Sequence, residues 1–305
     1  MAGTEHHWDF LDMGMVSRLA RLEMHARNPM LGSITGLHKS ATRGSSVEFA
    51  EYRKYVPGDD PKFIDWRVFG RTDKFFIREF EADTNLRCYL VVDTSASMKF
   101  SSGNRTRFDY ARQVAATLTH LLIHQGDAVG LSLFADKTLQ ELKPKHTPSH
   151  LRLIYDTLAE ATPQGETNIV RTLHELAERI HQRSLVVVIS DLFTEVADLL
   201  GCFKHLRFYK HDVAVFHLLD RQEYHFDFSR PIRFVDMETG MDLITDPAVL
   251  REAYCEAVRN HLDALGHGCR EFDVDYHLTY LDQSAEGMLT NFLLGRIRRK
   301  KGAGR

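Results

Sequence analysis

The chain has 305 residues, 43% of them hydrophobic and 27% charged, with a formal net charge of −3. This ordinary globular composition is enough for one large domain or two modest ones, and it carries no electrostatic footprint for nucleic acid. Cys88, Cys202, Cys255 and Cys269 are scattered, with no Cys-x-x-Cys pair, which fits reduced thiols. No apolar run approaches the roughly 20 residues needed to cross a bilayer, and the first residues lack the basic flank and apolar core of a secretory signal. The expectation is a soluble, cytoplasmic protein.

From Trp8 to Arg27, Phe10, Leu11, Met15, Leu19, Leu22 and Met24 recur at near-helical spacing. This predicts an amphipathic helix that packs on the chain's own core and ends near Asn28-Pro29. Gly32 to Ser40 superficially suggests a phosphate loop. A P-loop needs Gly directly before the Lys and a buried strand before the loop, and neither is present around Lys39.

Glu48 to Arg67 leads through Pro57-Gly58-Asp59-Asp60, where the Pro-Gly pair fits a type II turn. Asp59, Asp60 and Asp65 read as turn caps and as ion-pair partners for Arg53, Arg67 or Arg71. Alternation over Phe75 to Phe80 predicts a strand, so the segment is a small β-rich lead-in.

Leu86-Arg-Cys-Tyr-Leu-Val-Val-Asp93 is a short apolar run that reads as a buried strand, and Thr94-Ser95-Ala96-Ser97 follows it. A strand thus delivers one carboxylate and two alternating hydroxyls to a loop. Hard divalent cations prefer such oxygen donors, and magnesium keeps several waters or a second carboxylate in its shell.

Phe108 to Gln125 is a helix whose Phe108, Ala111, Val114, Ala115, Leu118, Leu121 and Leu122 share one face. His120 and His124 are expected to project with Gln113 and Thr117 toward solvent, and they belong to no His-Glu-x-x-His pattern. A strand over Asp127 to Phe134 and a short edge strand over Thr138 to Leu142 come next. Helices are expected at His150 to Glu160 and Asn168 to His181, the second just after Gly165-Glu166-Thr167, whose hydroxyl could cap the helix or meet a cation.

Ser184 to Ser190 is a second buried strand ending in an acid, Asp191. A helix over Val196 to Tyr209 and a strand over Asp212 to Leu218 lead to a hairpin insertion at about 224–246, turning at Thr239-Gly240. A helix over Pro247 to Leu265, a strand over Asp273 to Leu281 and a helix over Ser284 to Arg298 close the chain. The basic run Arg296 to Lys301 is expected to be a solvated tail. Alternating strands and helices of these lengths imply a mostly parallel sheet, which gathers ligands at strand carboxyl ends where the strand order reverses.

The order strand-Asp93-x-Ser95-x-Ser97, loop-Thr167, strand-Asp191 resembles the metal-ion-dependent adhesion site of von Willebrand factor A-like domains. The resemblance implies that Ser95, Ser97 and Thr167 touch Mg2+ or Mn2+, that Asp93 and Asp191 act mostly through bound water, and that a partner's carboxylate takes the remaining position. Arg53-x-Tyr55-x-Pro57-Gly58-Asp59-Asp60-x-x-x-Ile64-Asp65-Trp66, followed shortly by that strand, resembles the signature of domain-of-unknown-function family 58. Gly44 is followed by Ser45-Ser46 where the family pattern is glycine-rich.

These resemblances imply an α/β fold: a von Willebrand A-like, Rossmann-type sheet flanked by helices, with a β-rich N-terminal appendage (1–85), a body (86–305) and an inserted β-hairpin. They also imply a non-enzymatic adaptor working with a MoxR-type AAA+ ATPase on a client protein that offers an Asp or Glu. The competing class is a metal-dependent hydrolase or phosphatase using Asp93 or Ser95. A haloacid-type phosphatase wants a second acid two residues after the first, where Ser95 stands, and a serine hydrolase wants a Gly-x-Ser-x-Gly turn, which is missing around Ser95. An idle site on a structural fold is the third alternative.

Overall fold

The computed structural model describes residues 8–22, 48–54, 66–72, 75–81, 86–228, 230 and 232–302. The chain divides into two compact units, one of Met1–Arg27 with Arg87–Arg305 and one of Asn28–Leu86.

In the smaller unit, β1 (Glu48–Lys54) pairs antiparallel with β2 (Phe76–Glu81), with a register shift between Phe49 and Glu51. The short helix α2 (Trp66–Thr72) lies between them in sequence. The Phe69 and Phe75 rings stack with centroids 4.4 Å apart, and Trp66 meets each of them edge-on. The segment is thus the β-rich lead-in expected, with a helical turn starting at Trp66. The Pro57-Gly58-Asp59-Asp60 turn, Asp65, Gly44 and the Gly32–Ser40 segment lie outside the described residues.

The larger unit begins with α1 (Met13–Leu19), where Asp12 caps the helix by accepting from the Met15 amide at 3.0 Å. Trp8 stands before this helix and donates its indole N–H to Asp156. The sequence assigns the whole N-terminal segment to the appendage. The packing of α1 on the later helices α3 and α9 joins it to the α/β body instead, because Met15, Val16 and Leu19 are buried there.

Six strands form the central sheet: β3 (Arg87–Asp93), β4 (Ala128–Phe134), β5 (Thr138–Lys145), β6 (Leu185–Ser190), β7 (Asp212–Leu219) and β10 (Asp275–Tyr280). Their spatial order is β10-β7-β6-β3-β4-β5, parallel throughout except for the antiparallel edge strand β5. Strands β4, β6 and β7 are buried along their whole length, which is why they read as continuous apolar runs rather than as alternating ones.

Helices cover both faces. Val91, Val186, Val188, Val213 and Val215 pack against α5 (Ile169–Arg179), α6 (Val196–Phe208) and α8 (Pro247–Glu271). The other helical layer holds α1, α3 (Arg107–His124), α4 (Pro148–Glu160) and α9 (Ala285–Gly302). Thr106 and Asp109 form a reciprocal capping box that starts α3. The helix α8 runs past the expected stop at Leu265. Its Gly268 permits close packing on α6, since a Cβ there would lie 2.2 Å from Leu200 Cδ1. Between β7 and the two-stranded hairpin β8 (Ile232–Val235) and β9 (Asp242–Thr245) lies a short helix, α7 (Arg221–His225), which the sequence pattern does not announce. Among the described residues no helix is long and apolar enough to cross a membrane.

Two expectations are corrected by packing. His120 is half-buried because α4 covers that side of α3, and its ring meets the Tyr155 hydroxyl at 2.9 Å. Thr117, placed on the same solvent face, is fully buried and donates to the Gln113 carbonyl.

Arg296 is no solvated tail residue. It is 2% exposed and bonds Asp275 at 2.9 Å and Asp212 at 3.3 Å, where β10 and β7 begin. Removing one partner of a buried ion pair leaves an uncompensated charge, costing about 3–5 kcal/mol. Arg296→Met is therefore expected to lower the unfolding free energy measured by urea denaturation by an amount in that range. The effect should be independent of added metal, because these contacts lie at the amino ends of the strands.

Candidate functional site

The chain goes from β3 to β4 on one side and later returns to place β6 on the other, so the strand order reverses between β3 and β6. These two strands pair in parallel register, with Val92 opposite Ile189. Asp93 ends β3 and Asp191 immediately follows β6. Residues 98 apart in sequence therefore meet at the carboxyl edge of the sheet.

Backbone hydrogen bonds knit the loops together. The Ala96 amide donates to the Gly165 carbonyl at 2.9 Å and the Gln164 amide to the Thr94 carbonyl at 2.8 Å, bringing the Thr167 loop beside the serines. Gly165 has φ +78°, a left-handed conformation that glycine adopts without steric cost. The Thr94 amide and hydroxyl both donate to the Phe134 carbonyl, fixing the start of the serine loop to the end of β4.

Asp93 is the centre of the polar cluster. Its Oδ1 accepts from the Ser95 amide at 2.9 Å, and its Oδ2 accepts from the Ser190 hydroxyl at 2.6 Å and, at a longer 3.4 Å, from the Thr167 hydroxyl. The Ser95 and Ser97 hydroxyls are 3.0 Å apart. Ser190 also accepts from the amide of Leu192, a buried non-glycine residue at φ +54°. Such a conformation costs on the order of 1–3 kcal/mol and persists where the surroundings over-determine it.

Asp191 pairs through Oδ2 with Arg107 at 2.9 Å. Arg107, the first residue of α3 and 1% exposed, also donates to the Ser97 carbonyl at 2.9 Å and to Glu223 on α7. The second Asp191 oxygen, Oδ1, is buried and has no hydrogen-bond partner among the described residues. An orphaned carboxylate oxygen is costly to bury, and it fits a cation or a water bound to one. The Glu238 carboxylate, from the β8–β9 turn, accepts from the Thr167 amide at 3.0 Å.

Burial and the neighbouring Asp191 carboxylate push the Asp93 carboxyl up to about 7, against the opposing pull of Ser190 and Ser95. Burial likewise raises the Glu238 carboxyl above its ordinary value, opposed by the Thr167 amide. The Arg107 guanidinium thus pairs with two acids, Asp191 and Glu223. Among the described residues no three His, Cys, Asp or Glu side chains gather in a ready cation cage. The donor set here is instead two carboxylates with three hydroxyls, a chemistry that suits a hard dication completed by water.

The profile of the family described as "Protein of unknown function DUF58" matches residues 51–264. The chain belongs to this family. Uncharacterized proteins of Mycobacterium bovis and Mycobacterium tuberculosis are 28% identical to it over 262 residues, covering 83% of this chain and 80% of theirs. Among solved structures it is similar to BatB from Bacteroides thetaiotaomicron, with a TM-score of 0.48 at 14% identity, covering 71% of this chain and all of that one. An aerotolerance-related membrane protein from Bacteroides fragilis gives 0.46 at 17% identity, covering 69% of this chain and all of that one. The SpRpn10 VWA domain gives 0.44 at 12% identity, covering 68% and 95%.

In this DUF58 chain the structure brings Asp93, Ser95, Ser97, Thr167 and Asp191 together at one sheet edge. Asp93 and Ser95 are fully buried and Asp191 is 1% exposed, while Ser97 and Thr167 are partly exposed at the mouth. Ser190, Arg107, Glu223 and Glu238 complete the cluster and escape a reading by motif. Ser190 had a local signal, a hydroxyl directly before the strand-end acid. Arg107 looks like an ordinary first-turn residue of a helix, and Glu238 like a polar turn residue in Met237-Glu238-Thr239-Gly240.

The Asp93 carboxyl, held up to about 7 in the folded metal-free protein, titrates near 3.8 in an unfolded chain. Between those values the folded state carries the extra proton, so this contribution to stability is complete below about pH 4 and lost as pH rises through 7. With chelator present, Asp93→Asn is expected to flatten the fall in urea midpoint between pH 5 and pH 8 relative to wild type. Parallel pH profiles for the two proteins would assign that fall to other groups.

Proposed function

We propose that this chain is a non-enzymatic interaction protein whose adhesion-type site takes Mg2+ or Mn2+ and recognises a carboxylate on a partner protein. The observation that carries the reading is the buried Asp191 Oδ1, without a hydrogen-bond partner among the described residues, on the strand beside the one that ends in Asp93 and leads to the Ser95 and Ser97 hydroxyls, with the Thr167 hydroxyl on Asp93. Ser95, Ser97 and Thr167 would hold the ion directly, with Asp93 and Asp191 behind them through water. A bound dication supplies the positive charge that attracts an acidic side chain to the mouth.

The chain's own residues arrange that mouth. The Thr94 and Gly165 backbone ties fix the two hydroxyl-bearing loops, Ser190 orients Asp93, and Arg107 holds Asp191 in one rotamer while neutralising part of the acidic charge. The surroundings of the two candidate nucleophiles favour binding over turnover. The Ser95 hydroxyl meets another serine rather than an imidazole, and both Asp93 oxygens accept hydrogen bonds from groups that fix them in place. We further propose a cytoplasmic adaptor role with a MoxR-type AAA+ ATPase in assembling or remodelling a client complex, a step that rests on the family resemblance.

Binding to the folded state alone stabilises by about 2.7 kcal/mol at a hundredfold excess of ligand over Kd. Thermal unfolding of wild type is expected to shift upward by several degrees with millimolar Mg2+ or Mn2+ relative to chelator, and Asp93→Ala is expected to show no such shift. Absence of any response in wild type would count against the reading.

The ion also competes with the Asp93 proton, so Mn2+ affinity is expected to rise from pH 6 to pH 8. A titration calorimeter reads that dependence directly. A flat profile would show that the proton on Asp93 does not compete with the ion.

A further inference from the structure

The β8–β9 hairpin is built to present one side chain. Asp236 opens its turn and gathers it: Oδ1 accepts from the Glu238 amide at 2.9 Å, and Oδ2 from the Thr239 hydroxyl at 2.6 Å. The Gly240 amide donates to the Asp236 carbonyl at 2.9 Å, and Gly240 has φ +72°, so the chain reverses tightly behind Glu238. At the hairpin's base, the Phe234 ring packs against Phe226 and Phe228 with centroids 5.5 and 5.3 Å away. Met237 and Thr239, on either side of Glu238, are exposed, whereas Glu238 is half-buried.

The position into which Glu238 is delivered is specific. Its Oε2 takes the Thr167 amide at 3.0 Å, 71 residues away in sequence. Thr167 and Ser97 are the two hydroxyl residues at the mouth of the site. The buried Asp191 Oδ1, without a hydrogen-bond partner among the described residues, is an independent sign that the cluster is incomplete. A carboxylate brought beside other buried carboxylates would ordinarily be repelled, so this placement calls for positive charge beyond Arg107.

We propose that Glu238 is an intrachain carboxylate ligand of the metal site, occupying the position open to an acidic side chain of a partner. The inference rests on the metal-site reading above and assigns the ligand that reading leaves to another protein. A partner's Asp or Glu then binds by displacing Glu238, and the hairpin sets the threshold for that exchange. The exchange leaves the sheet in place, because Met241, Leu243 and Ile244 of the hairpin are exposed and its tip meets the sheet loops through the Thr167 amide.

The test compares wild type, E238Q, E238A and D93A for Mn2+ affinity by calorimetry and for water-proton relaxation per bound Mn2+, with circular dichroism to confirm folding. E238Q keeps the size of the side chain and its capacity to accept from Thr167, so a merely structural contact survives in it. The expected result is Mn2+ binding about tenfold weaker in E238Q and E238A than in wild type. Relaxation per bound ion should rise because water replaces the missing carboxylate. Acetate, the probe for a partner's acid, should lower that relaxation in E238Q at concentrations that leave wild type unchanged.

If wild type binds Mn2+, D93A does not, and E238Q matches wild type in affinity, relaxation and acetate response, Glu238 is no ligand and the proposal is overturned while the metal site stands. If wild type, E238Q and E238A all fail to bind at millimolar Mn2+, the metal-site reading itself falls and takes the proposal with it.

Discussion

Two like charges forced together out of water are the constraint around which this molecule is arranged. Asp93 and Asp191 sit on the ends of neighbouring parallel strands, and the register of β3 against β6 leaves them no freedom to separate. Their surroundings consist of groups that make this tolerable: the Ser95 amide, the Ser190 hydroxyl and the Arg107 guanidinium. Even so, burial and mutual repulsion keep the Asp93 carboxyl well above its ordinary range. A carboxylate pair maintained at that cost is a recurrent mark of a functional site.

The two ends of the sheet handle charge in opposite ways. At the amino ends, Asp212 is met by Arg183, Arg207 and Arg296, and Asp275 shares Arg296. The cluster works as a structural lock between β7, β10 and the closing helix. At the carboxyl ends, Asp191 and Glu223 share Arg107, and among the described residues the Asp191 Oδ1 has no hydrogen-bond partner. The first network stabilises the fold, and the second holds the donor set that the proposed metal site would use.

Most of the fold was legible because its signals are local. Buried parallel strands appear as unbroken runs of Val, Leu and Ile, and helices announce themselves through caps such as Thr106 and Thr147. The five motif residues could be placed together because each stands at a strand end or in a turn, where topology dictates convergence. What escaped was set by contacts between distant segments. Arg296 looks like part of a basic tail until Asp212 and Asp275 enclose it, and His120 looks solvent-facing until α4 covers it. The site was expected at the carboxyl ends of the strands, and there Asp93 and Ser95 are fully buried, which no motif announces. Neither Arg107 nor Glu238 carries a local pattern that distinguishes it from an ordinary surface residue.

The edge strand β5 has a bearing on how such a protein can meet others. It alone runs antiparallel, its Lys143 and Lys145 are exposed, and Pro144 between them has no amide hydrogen to offer. Gly130 of β4 is pressed against this stretch, with the Leu142 carbonyl 2.7 Å from where a Cβ would stand. A border of lysines and a proline is poorly suited to accept a foreign strand, a known defence against edge-to-edge aggregation. On this side the sheet is closed to growth by strand addition, which favours recognition through side chains at the strand ends over backbone pairing along the flank.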